Sequence, residues 1–434
     1  MTIPTIDADV YFLNQNTTPS DYNVNPVFQT AVDGLTTLPP ELVMTTMTGR
    51  NGLNSAGSAD AYWNMSMTAG EKEGKVSGNF INDASDNAIT ARTQFHSYPV
   101  VASTGSAYQV LGRIINWAGQ SEGRGYSNDM FYNVQQQRIF STSLRFNPMP
   151  WHLTTLQLPS SNENNYQIAF PFAPDWVWMW SSWPGSTADE WASTHALANT
   201  GNCFYNETFA HRDGTIQGWQ FWDQDTPTTM NCGTSYSETE FMRAYWTSGA
   251  YTEYVSDITF TDSGITLDWT GTNSYNMHIL AGKNENSKVG KFRITTSDYG
   301  DGTYRSSDNT MKITTGFRPR VVFLIGGNRS SSGGSSHVQV GRGFIGPTGE
   351  EWAMSISNQD NIATSDCYGS NWDNRCYHLL NSSGGSSYSN CSFNSYEDDG
   401  FRVNVDDAGS YNVSYLAFAD PPPEVQAPYG DSIL

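Results

Sequence analysis

An internal repeat is the feature that most restricts how this 434-residue chain can fold. Two segments of the chain recur with similar sequences at the same offset of 136 positions. GITLD at 264–268 corresponds to GFRVN at 400–404, and SYNMHILA at 274–281 corresponds to SYNVSYLA at 410–417. Self-similarity at a fixed spacing indicates that one structural unit occurs more than once in a chain. We therefore expect two copies of one unit.

A second pair of segments extends the repeat toward the N-terminus. Residues 172–180 (FAPDWVWMW) match residues 317–325 (FRPRVVFLI) at an offset of 145 positions. Because this offset exceeds the downstream one, the first copy must contain about nine extra residues between the two matches. We infer tandem copies at residues 148–284 and 287–420.

The matching segments have the residue pattern of β-strands. Apolar and polar residues alternate over 265–269 and over 401–405, as expected of strands with one buried face. Residues 177–180 and 321–325 are continuous apolar runs, which predict central strands covered on both faces. Each copy has many short strands between turns rich in Gly, Asn and Ser. The pattern predicts an all-β fold of tandem antiparallel β-sandwich domains.

The remaining segments differ in composition from the two copies. Residues 1–50 contain prolines and no clear periodicity, which predicts an extended N-terminal arm. Residues 51–147 predict a smaller β-rich domain, and residues 421–434 begin with three prolines and predict an extended tail. Arm and tail at opposite ends suit contacts with neighbouring copies in a symmetric assembly.

Three short segments carry weak helical signals. Residues 187–190 and 237–240 have the spacing of a capping box, in which a Ser or Thr precedes a Glu by three positions. Residues 41–47 lack turn formers and favour one or two helical turns within the arm. We expect short helices at these places.

Charge and composition exclude several classes of protein. The chain has 22 Lys and Arg against 43 Asp and Glu, for a net charge of −21, and no lysine lies between Lys75 and Lys283. Nucleic-acid binding needs clustered basic residues, so it is not expected. No apolar run is long enough for a membrane helix, so we expect no membrane insertion. Aromatic residues make up 13% of the chain, which argues against disorder.

Five cysteines bear on the cellular compartment. Their number is odd, no CxxC pair suggests a zinc ribbon, and the first nine residues lack the features of a secretory signal. We therefore expect free thiols packed in a protein made in a reducing cytoplasm. The pair Cys203-Phe and Cys367-Tyr is a further, weaker candidate match between the two copies.

The sequence offers no recognisable catalytic or metal motif. Seven histidines are scattered without HExxH spacing, and the acidic residues of 397–399 and 406–407 read as hairpin turns. The loop at 298–308 carries oxygen ligands but does not fit the EF-hand pattern, so an ordinary turn is favoured over a calcium site. We assign no catalytic residue, no cofactor and no metal.

Aromatic residues of the first copy supply the only candidate binding site. The tryptophans within 176–180 alternate with other residues and so share one strand face, which favours a core position. Trp219, Trp222 and Tyr236 lie in polar, Gly-rich sequence and are expected to be exposed. Exposed aromatic rings stack on sugar rings, so these three residues form a candidate glycan-binding platform.

At the second copy the sequence resembles a known kind of domain. GFRPRVVF at 316–323, DGF at 399–401 and SYLAFA at 414–419 are similar to a β-domain that recurs in tail fibres and other virion appendages of bacteriophages. The resemblance covers residues 290–420 and, more loosely, 150–284. The first copy departs from it, because Pro171 stands where the second copy has a glycine before its Phe.

The resemblance implies a structural protein of a phage particle that has no cofactor. Its expected partners are copies of itself and other virion proteins, with host surface polysaccharide as a candidate ligand. It would be made in the host cytoplasm and reside in the virion, attached through residues 51–147. Two alternatives stay open: a carbohydrate-binding module that uses the aromatic platform, and a polysaccharide-degrading enzyme that uses a pair of the chain's carboxylates.

Overall fold

The computed structural model describes most of the chain between residues 7 and 420. The described residues are 7–14, 28–30, 42–48, 55–58, 61–69, 73–81, 89–95, 100–103, 107–116, 124–127, 138–146, 149–183, 195–196, 202–224, 231–247, 250–359, 367–381 and 386–420. Every regular element within these residues is a β-strand, and they contain no helix. The expected all-β fold class is confirmed.

Eleven strands precede the repeats. They are β1 (Asp7–Asn14), β2 (Phe28–Thr30), β3 (Leu42–Thr48), β4 (Ser55–Ser58), β5 (Ala61–Ala69), β6 (Glu73–Ile81), β7 (Ile89–Phe95), β8 (Val100–Ser103), β9 (Ala107–Asn116), β10 (Arg124–Ser127) and β11 (Arg138–Arg145).

The next eleven strands belong to the first copy, which we call repeat one. They are β12 (Trp151–Gln157), β13 (Glu163–Ala169), β14 (Trp176–Trp183), β15 (His195–Ala196), β16 (Asn202–His211), β17 (Ile216–Gln224), β18 (Asn231–Ser237), β19 (Met242–Thr247), β20 (Ala250–Thr261), β21 (Gly264–Thr270) and β22 (Asn276–Gly282).

The last twelve strands belong to the second copy, repeat two. They are β23 (Ser287–Arg293), β24 (Gly302–Arg305), β25 (Thr310–Thr314), β26 (Val321–Gly327), β27 (Gly333–Ser336), β28 (Val338–Ile345), β29 (Glu351–Asn358), β30 (Cys367–Trp372), β31 (Tyr377–Leu380), β32 (Ser387–Glu397), β33 (Gly400–Asp407) and β34 (Asn412–Phe418).

Each repeat is a sandwich of two antiparallel sheets with the same strand order. The inner sheet runs β12-β22-β14-β16-β17-β18 in repeat one and β23-β34-β26-β28-β29-β30 in repeat two. The outer sheet runs β13-β21-β20-β19 in repeat one and β25-β33-β32-β31 in repeat two, where β24 adds one more strand. The two copies therefore match strand by strand.

Strand register confirms the alignment made from the sequence. Trp178 pairs with Leu280 across the β14–β22 ladder, and Phe323 pairs with Leu416 across the β26–β34 ladder. Trp178 and Phe323 are related by the offset of 145, and Leu280 and Leu416 by the offset of 136. The equivalent ladders of the two repeats therefore agree with both sequence matches.

The central strand of each inner sheet is covered on both faces, as its apolar sequence predicts. Val177 and Met179 point into the core between the two sheets of repeat one. On the opposite face of the same strand, Trp176, Trp178 and Trp180 are buried in a core that lies between the two inner sheets. The two sandwiches therefore form four layers with their inner sheets face to face.

Strands from outside each repeat complete the inner sheets. Strand β27 of repeat two pairs with β18 of repeat one, and β4 pairs with β30 at the corresponding edge of repeat two. Between β27 and β28 lies only His337, whose φ of 71° bends the chain from one inner sheet into the other. Both additions cover an edge that would otherwise present unpaired backbone groups.

Apart from β4, the strands before the repeats lie in two further sheets. One has the order β1-β11-β3-β5-β6-β7, and the other contains β9, β10 and β2, with β8 and with β15 of repeat one paired to β9. Because β3 pairs with β5, the expected boundary at residue 50 falls between two strands of one sheet. The expected helical turn at 41–47 is wrong, since Leu42–Thr48 is a strand whose inward residue Met44 is buried among the core residues between the repeats.

The other two helical expectations have different outcomes. At 237–240 no helix forms, although the side chain of Ser237 accepts hydrogen bonds from the backbone of Thr239 and Glu240 in the manner of a cap. The capping contacts close a turn between two strands, because the residues that follow continue into β19. The segment 187–190 and the tail at 421–434 lie outside the described residues.

Three of the five cysteines have described side chains; all three are buried, as expected, and none of them forms a disulfide bond. They are Cys232, Cys376 and Cys391. The suggested match between Cys203 and Cys367 is wrong. Cys203 lies in β16, whereas Cys367 lies in β30, the strand equivalent to β18.

Candidate functional site at the interface of the two repeats

Equivalent residues meet at the centre of the interface between the inner sheets. The rings of Trp178 and Phe323, which occupy matching positions of the two repeats, have centroids 4.7 Å apart. In a twofold interface, a residue on the axis contacts its own equivalent. The two repeats therefore pack around a pseudo-twofold axis that passes close to this aromatic pair.

A charged pair lies in the same interface. Trp180 pairs with Glu207, and its equivalent Ile325 pairs with Arg342, so Glu207 and Arg342 are equivalent residues at an offset of 135 (342 − 207). Their side chains form a salt bridge between the repeats and are fully buried. Removing two charges from water is costly unless each is paired and hydrogen-bonded.

The carboxylate of Glu207 has further donors. Trp178 Nε1 donates to Glu207 Oε1 at 3.1 Å, and Tyr205 Oη donates to Glu207 Oε2 at 3.0 Å. Arg342 Nη2 also donates to Tyr205 Oη at 2.8 Å. Burial alone would lower the pKa of Arg342, but the adjacent Glu207 carboxylate outweighs it and raises that pKa. The Arg342 guanidinium is therefore held in its charged form.

The strands that precede the repeats close this interface. The guanidinium carbon of Arg342 lies 4.5 Å from the ring centre of Trp63 in β5, a cation–π contact. The Trp63 ring also meets Phe221 edge-on at 6.0 Å. Trp352 Nε1 donates to Thr142 Oγ1 of β11 at 3.1 Å. We call Trp63, Trp178, Tyr205, Glu207 and Arg342 the interface cluster, because they join three parts of the chain.

The three residues proposed as a glycan platform are buried, so the expectation of exposure is wrong. Trp219 is 2% exposed, Trp222 is 7% exposed and Tyr236 is 0% exposed. Trp219 Nε1 donates to Ser414 Oγ of repeat two at 2.8 Å, and its ring lies 4.6 Å from that of Tyr236. Trp222 points the other way, into the core of repeat one. The structure brings two of the three together, but inside the interface.

The recess nearest these residues is too small for a sugar ring. Its volume is about 10 Å³, roughly the space of one water molecule, whereas ligand sites usually occupy ~300–1,000 Å³. Polar groups on its walls are tied to each other, since Gln220 Nε2 donates to the Arg243 carbonyl at 2.5 Å and Asn206 Oδ1 accepts from the Arg243 backbone at 3.4 Å. The recess is part of the packed protein.

The acidic segment 298–308 consists of the short strand β24 (Gly302–Arg305) with a tight turn on each side of it. Asp298 Oδ1 accepts a hydrogen bond from the backbone of Tyr304 at 2.8 Å, and Asp308 Oδ1 accepts one from Thr310 Oγ1 at 2.8 Å. No group of three potential ligands from His, Cys, Asp and Glu is found among the residues with described positions. The same part of the chain has no helix long and apolar enough to cross a membrane.

One buried carboxylate outside the interface was not anticipated. Glu253 accepts hydrogen bonds from Tyr275 Oη and from the backbone of Thr272, and from Asn273 Nδ2 at 2.8 Å. Burial disfavours its charge, but these donors outweigh burial and lower the pKa of Glu253. A carboxylate saturated with donors in this way anchors a turn and is poorly suited to transfer protons.

Sequence reasoning also missed the interface cluster. The available signal was a single charged residue inside an otherwise uncharged strand, Glu207 in β16 and Arg342 in β28. Only the strand register shows that these two residues are equivalent and face each other.

The motifs behind the phage resemblance come together at one end of repeat two. The backbone N–H groups of Thr315 and Gly316 both donate to the carbonyl of Asp399, at 2.9 and 3.0 Å. The equivalent bond in repeat one joins Phe170 to Ser263 at 2.8 Å. The GFRP and DGF motifs thus form one structural feature that both repeats share.

Comparisons with known proteins give no relative. No family model, no curated protein and no solved structure matches this chain.

Proposed function

We propose that this protein is a structural subunit of a bacteriophage particle, built into a tail fibre, a spike or a head-surface appendage. The observation that carries the proposal is the continuous core between the inner sheets, to which both repeats and the preceding strands contribute. A core shared in this way makes one stiff body from two domains, because neither repeat can move without separating buried aromatic rings. Stiffness is what an appendage needs in order to transmit force and hold a fixed position.

The resemblance at residues 316–323, 399–401 and 414–419 supports the assignment to a phage. Its partners would be copies of itself and other virion proteins, and it would act without a cofactor or catalytic residue. The protein would be made in the host cytoplasm and then incorporated in the virion. Contact with host polysaccharide, if part of this role, would use residues other than Trp219, Trp222 and Tyr236, which are buried.

The proposal is tested on purified particles. Antibodies raised against the recombinant full-length chain are used to gold-label density-gradient-purified phage carrying the gene, and the same particles are analysed by mass spectrometry. We expect the chain in the particles, with labels at a repeated and symmetric position. Recovery only from infected-cell lysate, and never from particles, would contradict the proposal.

A pair of variants connects this test to the structure. Phe323→Asp places a charge in the core between the repeats and is expected to remove the protein from particles. Tyr388→Ser changes an exposed ring, 38% accessible, and is expected to leave incorporation unchanged. If both variants are incorporated equally, the shared core is not what the particle requires.

A further inference from the structure

Two of the buried cysteines lie against each other in repeat two. The sulfur atoms of Cys376 and Cys391 are 3.5 Å apart, and both residues are completely buried. Cys376 directly precedes β31, and Cys391 lies in the neighbouring strand β32. The contact is thus formed between adjacent segments of one sheet.

The backbone holds the two residues in place. The N–H of Cys376 donates to the carbonyl of Cys391 at 3.0 Å, and Tyr377 pairs with Cys391 in the ladder. On the other side, a Cβ atom added to Gly343 would lie 1.6 Å from the Cys376 carbonyl oxygen, so the backbones are in close contact there. The two sulfurs, now 3.5 Å apart, would need to approach by only about 1.5 Å to reach the ~2.0 Å of a disulfide bond.

We propose that Cys376 and Cys391 form a disulfide bond when the protein passes from a reducing to an oxidising environment. Among the described strands, β31 is the last of its sheet, so the bond would fasten an edge strand to the neighbouring β32. Closing the loop between the two cysteines would also restrict the unfolded chain and thereby stabilise repeat two.

The reaction needs an oxidant of the low-molecular-weight disulfide class. One cysteine thiolate attacks a sulfur of that reagent, which forms a mixed disulfide and releases one thiolate. The second cysteine then attacks the protein sulfur of the mixed disulfide, which forms the Cys376–Cys391 bond and releases the second thiolate. Two protein thiols are oxidised, the reagent is reduced to two thiols, and the two protons pass to those thiols.

Burial of the two thiols slows this reaction in the folded protein. It raises the pKa of the Cys376 thiol, and the neighbouring Cys391 raises that pKa further. Thiolate is therefore scarce in the folded protein, so exchange proceeds during folding or through local opening of the edge strand. The bond is expected to form slowly in the folded state and readily when reduced protein refolds in an oxidising buffer.

The cysteine positions allow a direct test on the full chain. Trypsin cleaves after Arg375 and Arg402, so the peptide 376–402 contains both cysteines, while Cys203, Cys232 and Cys367 lie in three other peptides. Reduced and denatured protein is refolded in glutathione buffers of graded ratio, then alkylated in denaturant and digested. We expect peptide 376–402 to resist alkylation and to lose the mass of two hydrogen atoms, while the Cys232 peptide stays fully alkylated.

Cysteine variants and melting temperatures complete the test. Cys376→Ala and Cys391→Ala should each abolish the oxidised peptide, whereas the matched control Cys232→Ala, which also removes a buried thiol, should retain it. Oxidised wild type should melt at a higher temperature than reduced wild type, and Cys391→Ala should show no such difference. Full alkylation of peptide 376–402 in every buffer, a stable glutathione adduct on it, or cross-links to the other cysteine peptides would each overturn the proposal.

Discussion

Glu207 and Arg342 occupy equivalent positions of the two repeats and form a buried salt bridge with each other. A duplicated unit that packs around a twofold axis initially places identical residues against each other near that axis. A charged residue at this position would then contact an identical charge, which is unfavourable in a buried site. In the present chain the two positions carry opposite charges, so repeat one is complementary to repeat two and neither is complementary to itself.

We expect the two charges to depend on each other for stability. Glu207→Gln leaves the buried Arg342 guanidinium without its counter-charge. Arg342→Met likewise leaves the buried Glu207 carboxylate without its counter-charge. Each change should lower the free energy of unfolding by about 3–5 kcal/mol. The double variant should cost less than the sum, because no unpaired charge remains. Urea denaturation of all four proteins measures the coupling.

An exposed ion pair provides the matched control for this cycle. Lys291 and Glu238 are also bridged between repeats, at 2.5 Å, but their side chains are 23% and 36% accessible. Lys291→Met and Glu238→Gln should change stability by less than about 1 kcal/mol each. Additive effects of Glu207→Gln and Arg342→Met, similar in size to those of the control pair, would show that the buried pair is not coupled.

The aromatic contact on the pseudo-axis should make the repeats unfold together. Phe323→Ala removes the ring that Trp178 contacts and leaves a cavity between the sandwiches, at a cost of about 3–5 kcal/mol. Because the cavity lies between the repeats, amide hydrogen exchange should become faster in β21 of repeat one as well as in β33 of repeat two. Phe260→Ala, at a partly buried ring that packs only on the core of repeat one, should affect β21 alone. Acceleration confined to repeat two in Phe323→Ala would contradict shared unfolding.

The fold could be read from the sequence because its strongest signals are local. The runs at 177–180 and 321–325 are apolar on both strand faces, and this alone predicts strands with a layer on each side. The pair of offsets then fixed which strands correspond. Helical expectations failed at 41–47 and 237–240, because short-range capping and propensity signals are weaker than pairing with neighbouring strands.

The candidate site could not be read in the same way, and β17 and β18 show why. Polarity in the sequence normally indicates exposure, and for this reason the sequence predicts Trp219 and Tyr236 on the surface. In the structure their polar neighbour Gln217 is itself buried, with its side-chain oxygen accepting hydrogen bonds from Tyr236 at 2.6 Å and from Ser414 at 3.1 Å. A sheet covered on both faces buries polar residues whose partners lie in the other repeat. Such partners are far away in sequence and leave no local signal.

Glu351 should make the protein less stable as the pH rises toward neutrality. Burial raises its pKa from 4.5 to about 7, against the opposing hydrogen bond from the backbone of Phe393 at 2.6 Å. A raised carboxyl pKa means that the folded state holds a proton that the unfolded state has already released. The corresponding stability is full below about pH 4.5 and is lost as the pH rises to about 7.

Glu351→Gln tests this directly, because glutamine keeps the acceptor for Phe393 and does not titrate. The variant should be more stable than wild type above pH 7, by about 1–3 kcal/mol, and the difference should shrink toward pH 4.5. Free energies of unfolding from urea melts at a series of pH values give the comparison. A constant difference across the range would contradict a titrating Glu351.

His378 should act in the opposite direction in acid. The residue is buried, and burial, with a smaller effect of Arg375, lowers its pKa from 6.5 to about 3. Its Nδ1 lies 2.9 Å from Ser370 Oγ, so the neutral ring already has a polar partner. Between pH 6.5 and 3 the unfolded chain binds a proton at this histidine and the folded chain does not, so stability is lost as the pH falls. The loss should approach about 1.4 kcal/mol for each pH unit.

His378→Asn cannot take up that proton, so its stability relative to wild type should improve steadily from pH 6.5 downward. As the pH falls, Glu351 adds stability from about pH 7 to 4.5 and His378 removes it from pH 6.5 to about 3, so the two effects oppose each other between about pH 4.5 and 6.5. Parallel stability curves for His378→Asn and wild type below pH 6.5 would show that the ring is protonated in the folded protein as readily as in the unfolded one.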